Sequence, residues 1–206
     1  MDEPQWLLWA RELQAIAQTG LTFSKDNYDL DRYRRLRAIA VEMLAVGSNS
    51  SIEHIQGLFD QDLGYPTPKV DVRAAVFRDD RILMVREISD GRWTLPGGWA
   101  DVNQSPRECV EREVREESGF EAHAVKLAAV YDRRLSNPSA HPYSIYKLFF
   151  ICELIGGAAS PSIETSAVEF FARDQLPELS LGRTSPIQVE RMYEHRTDPE
   201  RPTDFD

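Results

Sequence analysis

Large apolar residues near the start of the chain recur at the spacing of a helix. Four of them are three or four residues apart, as expected for one face of an amphipathic helix. They are Trp6, Trp9, Leu13 and Ile16. Gly20 follows at the position where a left-handed C-cap is expected, so the pattern predicts a helix that ends there.

Two more helices are predicted before the pattern changes. The second runs from about Asp29 to Val46 and is followed by Gly47, again a suitable C-cap. The third begins at Ser50, because Ser50 and Glu53 have the spacing of a capping box ahead of an apolar run. The chain is therefore expected to be mainly helical up to about residue 62.

The stretch QDLGYPTPKV, residues 61–70, ends the helical pattern. Two prolines and a glycine interrupt any helix there, and strand-like sequence follows. We place a domain boundary inside this stretch. It divides the chain into a helical extension over residues 1–66 and a second domain over residues 67–206.

The second domain begins with β-rich segments. VDVRAAVF and RILMVRE are separated by Arg78, Asp79 and Asp80, which predicts a hairpin. Further on, SIYKLFFICEL is typical of a long buried strand, GGAASPS of the turn after it, and AVEFFA of another strand. A last helix is expected to open at Thr184, Ser185 and Pro186.

Composition and charge narrow the functional classes. Cys109 and Cys152 lack CxxC spacing, which argues against a disulfide framework or a thiolate metal site and favours a reducing compartment. The N-terminus carries acids where a secretion signal would be basic, and no apolar run has membrane-spanning length, so we expect a cytoplasmic protein with no membrane partner. A net charge of -10 makes nucleic acid an unfavourable partner.

The segment from Ser105 to Gly119 has strong helix signals at both ends. Ser105 is a hydroxyl cap, Pro106 suits the first helical position, and Glu108 completes a capping box. Ser118 and Gly119 end the helix.

This helix is predicted to turn three acids inward. Glu113, Glu116 and Glu117 lie on the side bordered by two valines, although like charges at this spacing repel. The compensating charge is either Arg112 or a divalent cation, since carboxylates are the ligands that Mg²⁺ and Mn²⁺ prefer. The preceding LPGGW lets the backbone approach a ligand and can offer a carbonyl oxygen to the same metal.

Together these residues resemble the Nudix box, G-x5-E-x7-R-E-U-x-E-E-x-G-U, in which U is an apolar residue. The match starts at Gly98 and continues through Arg112, Glu113, Glu116 and Glu117 to the end of the motif. Gln104 departs from it, because the family has its first glutamate there; the amide can still accept a hydrogen bond from Arg112. The resemblance implies an α/β fold, the Nudix α/β/α sandwich with a mixed sheet, preceded here by the helical segment.

The resemblance also implies an enzyme. Nudix hydrolases split a nucleoside diphosphate linked to a group X, such as ADP-ribose or CDP-choline, into a nucleoside monophosphate and phosphorylated X, with Mg²⁺ or Mn²⁺. By this resemblance Glu113 and Glu117 are the principal metal ligands, and Glu116 and the Gly97 carbonyl complete the set. Arg112 is expected to orient the glutamates rather than touch the substrate.

The general base is left open by the resemblance. Some members use a glutamate on the box helix and others one on a later loop, for which Glu164 is our candidate and Glu169 the second. The candidate catalytic residues are therefore Glu113, Arg112 and Glu164.

Substrate contacts must lie outside the box, because phosphate handling specifies neither the base nor X. Arg86, Arg133 and Lys147 are candidates for a phosphate contact. Tyr146 or Trp93 is a candidate for stacking on a nucleobase, although aromatic residues more often anchor a core.

The helical extension resembles one found in a subgroup related to ADP-ribose and CDP-choline pyrophosphatases, where it contributes to dimer formation. We therefore expect a homodimer, with Trp6 and Trp9 as interface anchors or as residues buried within one subunit. Two other functions stay open. One is a Nudix-like ligand sensor in which Gln104 marks lost catalysis, and the other is hydrolysis of nucleoside triphosphates or capped RNA.

Overall fold

The computed structural model describes residues 4–60, 63–136 and 141–206. Within these residues the helices are α1 (Gln5–Phe23), α2 (Asn27–Ser48), α3 (Ile52–Asp60), α4 (Pro106–Ser118), α5 (Arg133–Ser136) and α6 (Pro186–Thr197). The strands are β1 (Lys69–Arg78), β2 (Arg81–Glu87), β3 (Trp93–Thr94), β4 (Phe120–Asp132), β5 (Ile145–Gly157), β6 (Thr165–Ala172) and β7 (Asp204–Phe205).

The chain forms two compact units. Met1–Lys69 and Pro138–Ser144 belong to the first, and Val70–Asn137 and Ile145–Asp206 to the second. Helices α1 to α3 make up the first unit, as the helical pattern predicts. The predicted helical positions 1–3, 61 and 62 lie outside the described residues.

Helix ends in the first unit differ from those predicted. Helix α1 continues through Gly20 to Phe23, and α2 continues through Gly47 to Ser48, followed by Asn49 as its C-cap with a φ of 54°. Both glycines instead make room between helices: a Cβ on Gly20 would lie 2.4 Å from the Tyr33 ring, and one on Gly47 would lie 2.2 Å from the Trp6 ring. Gly20 and Gly47, which were predicted to be helix caps, are therefore explained by close packing between helices.

The start of α3 and the buried face of α1 also differ from the prediction. Ser51, not Ser50, caps α3 by accepting the His54 N–H at 3.1 Å. In α1 the small residues Ala10 and Ala17 are fully buried, whereas Trp9 is 54% exposed. Of the predicted stripe, Trp6 packs against the core of this unit, whereas Trp9 and Ile16 are exposed.

The second unit is built on a mixed sheet. Among the described residues the strand order is β3-β2-β1-β5-β4-β7. Strand β6 lies off this path and also pairs with β2. Strands β1 and β2, β2 and β3, β2 and β6, and β4 and β5 pair antiparallel, whereas β4 and β7 pair parallel. The predicted hairpin joins β1 to β2, where Asp79 and Asp80 adopt the positive φ angles of a two-residue turn.

Helices cover both faces of this sheet. On one face Val110 and Val114 of α4 pack against Val72 and Val76 of β1. On the other face Val189 and Met192 of α6 belong to a second cluster of buried side chains, which includes Phe77 of β1 and Phe149 of β5. The layers match the expected sandwich. Strand β4 was not predicted, and it pairs along its length with β5. Among the described residues no helix is both long and apolar enough to cross a membrane.

Candidate active site

Helix α4 forms as its terminal residues dictate. Ser105 accepts the Glu108 N–H, and the Glu108 carboxylate accepts the Ser105 N–H at 2.7 Å, so the predicted capping box is present. Gly119 ends the helix with a φ of 74°, which favours glycine. Val110 and Val114 are fully buried. They fix the rotation of the helix. As a result Glu113 and Glu117 point toward the glycine segment, which is LPGGW at residues 95–99.

Glu117 is the most buried acid of this helix, at 6% exposed. Its Oε2 accepts the Gly97 N–H at 2.8 Å. Gly97 has a φ of 143°, and a Cβ there would lie 2.0 Å from the Val72 carbonyl oxygen, so only glycine fits. Burial raises the pKa of Glu117 to about 7, although the Arg73 charge and the Gly97 N–H oppose the rise.

Glu113 lies one turn earlier on the same face. Its side chain is 13% exposed, and a Cβ on Gly98 would lie 3.2 Å from its Oε2. Burial raises its pKa in spite of Arg112, whose Nη2 is 3.0 Å from Oε1. Two desolvated carboxylates four residues apart are an arrangement that a bound cation would stabilise.

Arg112 joins the acids at the rim of the site. Its Nε donates to Gln104 Oε1 at 3.1 Å, so the amide accepts the hydrogen bond that the sequence predicts for it. Its Nη1 is 2.6 Å from Glu116, and its Nη2 is 2.8 Å from Asp101. The prediction that Glu116 faces inward is wrong, because its side chain is 54% exposed and turns outward to Arg112.

The donors fit a hard divalent cation in kind, since Glu113 and Glu117 offer carboxylate oxygens beside two glycines. They do not form a complete metal site as they stand. Among the described residues no three His, Cys, Asp or Glu side chains are grouped closely enough to hold a metal ion. Glu116 could join Glu113 and Glu117 only by leaving Arg112.

A buried ion pair lies next to this site and was not predicted. Arg73 donates through Nε and Nη2 to both oxygens of Asp71, at 2.9 and 2.8 Å, and both side chains are buried. Burial raises the pKa of Glu87, Glu113 and Glu117, and the Arg73 charge opposes that rise in all three. The only sequence signal was the charged residues at alternate positions of the apolar run VDVRAAVF.

Two further unpredicted residues, Glu87 and Arg183, pair nearby. Arg183 Nε is 3.1 Å from Glu87 Oε1, and Arg183 Nη1 and Nη2 donate to Ser180 and Ser89 at 3.1 Å each. These contacts join the loop before α6 to the end of β2. The contacts of Arg183 with Glu87 and Ser89 connect residues more than ninety positions apart, so no local pattern could have indicated them.

The phosphate-binding candidates lie in three different surroundings. Lys147 is buried 3.7 Å from Asp71 and donates to the Arg183 carbonyl; burial lowers its pKa to about 7. Arg133 is also buried, and its charge contributes to the lowering of the Lys147 pKa. Arg86 is exposed and donates to the Gly91 carbonyl at 2.7 Å, which ties it to its own turn.

The two aromatic candidates differ in accessibility. Tyr146 is 45% exposed, and the alternation of β5 places it on the sheet face opposite Lys147. Trp93 packs edge-on against Phe171 with 4.8 Å between ring centroids and belongs to the core layer under α6.

The two candidate bases are separated along the chain, with Glu164 just before β6 and Glu169 within it. Glu164 immediately precedes Thr165, whose hydroxyl donates to the Glu117 carbonyl at 2.8 Å. Glu164 is exposed, and its charge contributes to raising the pKa of Glu87. Glu169 is five residues further along the chain, roughly 16 Å away at the rise of an extended strand. Of the two, Glu164 therefore lies nearer to Glu117.

Comparison with protein families agrees with this fold and site. Residues 67–191 match the family described as the NUDIX domain, and residues 4–59 match the one described as a UDP-X-like, N-terminal oligomerisation domain. The chain belongs to the Nudix hydrolase family. It is an enzyme of that family with an additional N-terminal helical domain.

Individual relatives cover one or both regions. "Putative ADP-ribose pyrophosphatase YjhB" of Bacillus subtilis is 43% identical over 99% of this chain and 98% of that protein. A crystal structure of a UDP-X diphosphatase is 34% identical, covers 100% of both chains and has a TM-score of 0.64. An ADP-ribose pyrophosphatase structure from Streptococcus suis is 42% identical over 68% of this chain and 100% of that chain, with a TM-score of 0.63.

Proposed function

We propose that this protein hydrolyses the pyrophosphate bond of nucleoside diphosphate derivatives, in the presence of Mg²⁺ or Mn²⁺, to a nucleoside monophosphate and a phosphorylated X group. The observation that carries the proposal is the pair of desolvated carboxylates, Glu113 and Glu117, held against Gly97 and Gly98. Without a cation their mutual repulsion and burial are unfavourable.

Glu113 and Glu117 are the metal ligands in this proposal. Glu116, once it leaves Arg112, and the Gly97 carbonyl would complete the set, and Arg112 orients Glu113 through its planar fork. When bound, the metal would neutralise phosphate charge and lower the pKa of a coordinated water. The chain's own part is to hold these oxygens in place and to keep Glu113 and Glu117 away from bulk water.

The proton acceptor for the attacking water is Glu164 in this account. Its support is the contact between the neighbouring Thr165 and the last turn of α4. A glutamate of the box helix is the other candidate. Geometry decides between them, because a base must reach the water within hydrogen-bond distance.

Support for the substrate class comes from the relatives, and the candidate contacts are the ones with exposed side chains. Full-length similarity to proteins named for ADP-ribose and for UDP-X favours a nucleoside diphosphate linked to a sugar, with CDP-choline as a further candidate. Tyr146 is accessible enough to stack on a base. Arg86 is the phosphate candidate with an exposed side chain, whereas the other two candidates, Arg133 and Lys147, are buried.

The helical unit is proposed to form a homodimer. Its support is the match to an oligomerisation domain and the apolar residues that this unit leaves exposed. They are Trp9, Ile16, Phe23 and Val46, with exposures of 54%, 47%, 63% and 85%. Such residues are typical of a surface that a second subunit covers.

A substrate panel tests the activity. Purified protein is incubated with Mg²⁺ and, separately, ADP-ribose, UDP-glucose, CDP-choline, ATP and NAD-capped RNA, and the products are separated by anion exchange. We expect a nucleoside monophosphate from at least one diphosphate derivative, and a loss of about 100-fold or more in Glu113→Gln. Cleavage of ATP or RNA alone, or of nothing, would overturn the proposed substrate class.

A further inference from the structure

The glycine segment that holds Glu117 is itself fastened to strand β1 by one side chain. Arg73 Nη1 donates to the Leu95 carbonyl at 3.1 Å and lies 3.5 Å from Thr94 Oγ1. Leu95 is two residues before Gly97, whose N–H donates to Glu117 at 2.8 Å. Arg73 therefore acts on Glu117 through two peptide units of a short, tightly packed segment.

The guanidinium of Arg73 has little freedom to move. Two of its nitrogens bind the two oxygens of Asp71 in a fork, and Arg73 is 4% exposed. Lys147 Nζ lies 3.7 Å from the same Asp71. The planar guanidinium binds Asp71 and the Leu95 carbonyl at the same time and so fixes their relative position. The flexible ammonium of a lysine cannot reproduce this geometry.

The backbone around Gly97 is equally constrained. The carbonyls of Pro96 and Gly98 accept hydrogen bonds from Ala74 and Val72 at 2.9 and 2.8 Å, so β1 holds both neighbours of Gly97. Val72 and Ala74 flank Arg73 in β1. Strand β1 thus binds the glycine segment through backbone hydrogen bonds and through the Arg73 side chain.

We propose that Arg73, clamped by Asp71, is a positioning residue for the metal-binding carboxylates: it fixes the Leu95–Gly97 segment so that the Gly97 N–H engages one oxygen of Glu117 and leaves the other for the cation. The inference rests on the proposed function, because it concerns the same carboxylates. Arg73 touches neither substrate nor metal in this role.

Arg73→Lys tests the inference, because it keeps the charge and removes the fork. We expect the dissociation constant for Mn²⁺, measured by calorimetry without nucleotide, to rise about 10-fold to 100-fold, as for other residues that orient metal ligands. We also expect the Gly97 amide proton to move upfield in a ¹H–¹⁵N spectrum, because it loses its hydrogen bond to a carboxylate. An unchanged affinity and an unchanged Gly97 signal would overturn the inference.

Two further variants separate positioning from stability. Val189→Ala removes atoms from the core under α6, where Val189 is fully buried, and should lower the melting temperature while leaving both readouts unchanged. If Val189→Ala weakens Mn²⁺ binding as much as Arg73→Lys, general destabilisation explains the effect and the inference fails. If Arg73→Lys does not fold, Asp71→Asn loosens the same clamp and should shift both readouts in the same direction.

The outcomes also separate this inference from the proposed function. A wild-type protein that binds Mn²⁺ but cleaves no compound of the panel contradicts the activity and leaves the positioning role standing. A wild-type protein that cleaves ADP-ribose, together with an Arg73→Lys variant that matches it in Mn²⁺ affinity and in the Gly97 signal, contradicts only the positioning role.

Discussion

At the scale of single residues, the charge of Glu117 opposes folding when no metal is bound. Burial raises its pKa from an ordinary 4.5 to about 7. Between pH 4.5 and pH 7 the Glu117 carboxyl is therefore protonated in the folded state but ionised in the unfolded state. The contribution of Glu117 to stability is therefore greatest below pH 4.5 and is lost as the pH rises through 7.

Glu117→Gln is accordingly expected to stabilise the metal-free protein at pH 8 by as much as about 3 kcal/mol, because glutamine stays neutral and can still accept the Gly97 N–H. The difference should disappear near pH 4. Urea unfolding of both proteins in chelator across this range measures it. Glu116→Gln is the control, since its exposed side chain should change stability by less than about 1 kcal/mol. A Glu117→Gln variant less stable than wild type at pH 8 would contradict the account.

Gln104 supplies a second prediction at this scale. Because its amide already accepts from Arg112 at 3.1 Å, Gln104→Glu should change the catalytic rate of an active protein by no more than about tenfold, the order expected for one charge at the edge of a site. The measurement is kcat on the best substrate of the panel. A silent wild type that gains activity only as Gln104→Glu would instead support the sensor.

At the scale of elements, helix α4 and helix α6 provide a matched pair. Both begin with a serine capping box followed by proline, at Ser105 and at Ser185. Ser105→Ala and Ser185→Ala should each lower the free energy of unfolding by about 1 kcal/mol, because each removes one cap. Only Ser105→Ala should also reduce the catalytic rate, since α4 carries the acids. Equal losses of rate in both variants would contradict this assignment.

Local signals explain why α4 could be predicted so completely. Its hydroxyl cap, its proline and its final glycine are all short-range features, and the structure has each where the sequence places it. Gly20 and Gly47 carry the same kind of signal but serve contacts with Tyr33 and Trp6. A glycine that permits close packing looks the same in sequence as one that ends a helix, which is why these two predictions failed.

The buried pair of Asp71 and Arg73 shows a different limit of prediction. Strand alternation places both residues on one face of β1, but it does not say which loop or helix that face meets. Glu116 shows the same limit on a helix: its angular position allows an inward or an outward side chain, and the contact with Arg112 selects the outward one. Sequence thus predicted Arg112, Glu113 and Glu117, which share one helix, but not the Asp71–Arg73 pair that packs beside them.

At the scale of the whole molecule, the helical unit is expected to join two chains. Trp9→Glu should convert a dimer of twice 23.6 kDa into a monomer, because it places a charge in the proposed apolar interface. Ile155→Glu is the control, since Ile155 is 66% exposed on the second unit. Sedimentation equilibrium gives both masses. A Trp9→Glu variant that remains dimeric would place the interface elsewhere.

The central claim is that Glu113 and Glu117 are held together because a divalent cation binds between them. The most direct measurement is a calorimetric titration of metal-free protein with Mn²⁺. We expect saturable binding to the wild type, the same binding to Glu153→Gln, whose carboxylate is exposed and lies outside the site, and none to the double variant Glu113→Gln/Glu117→Gln. Absence of binding to the wild type, or equal binding to the double variant, would contradict it.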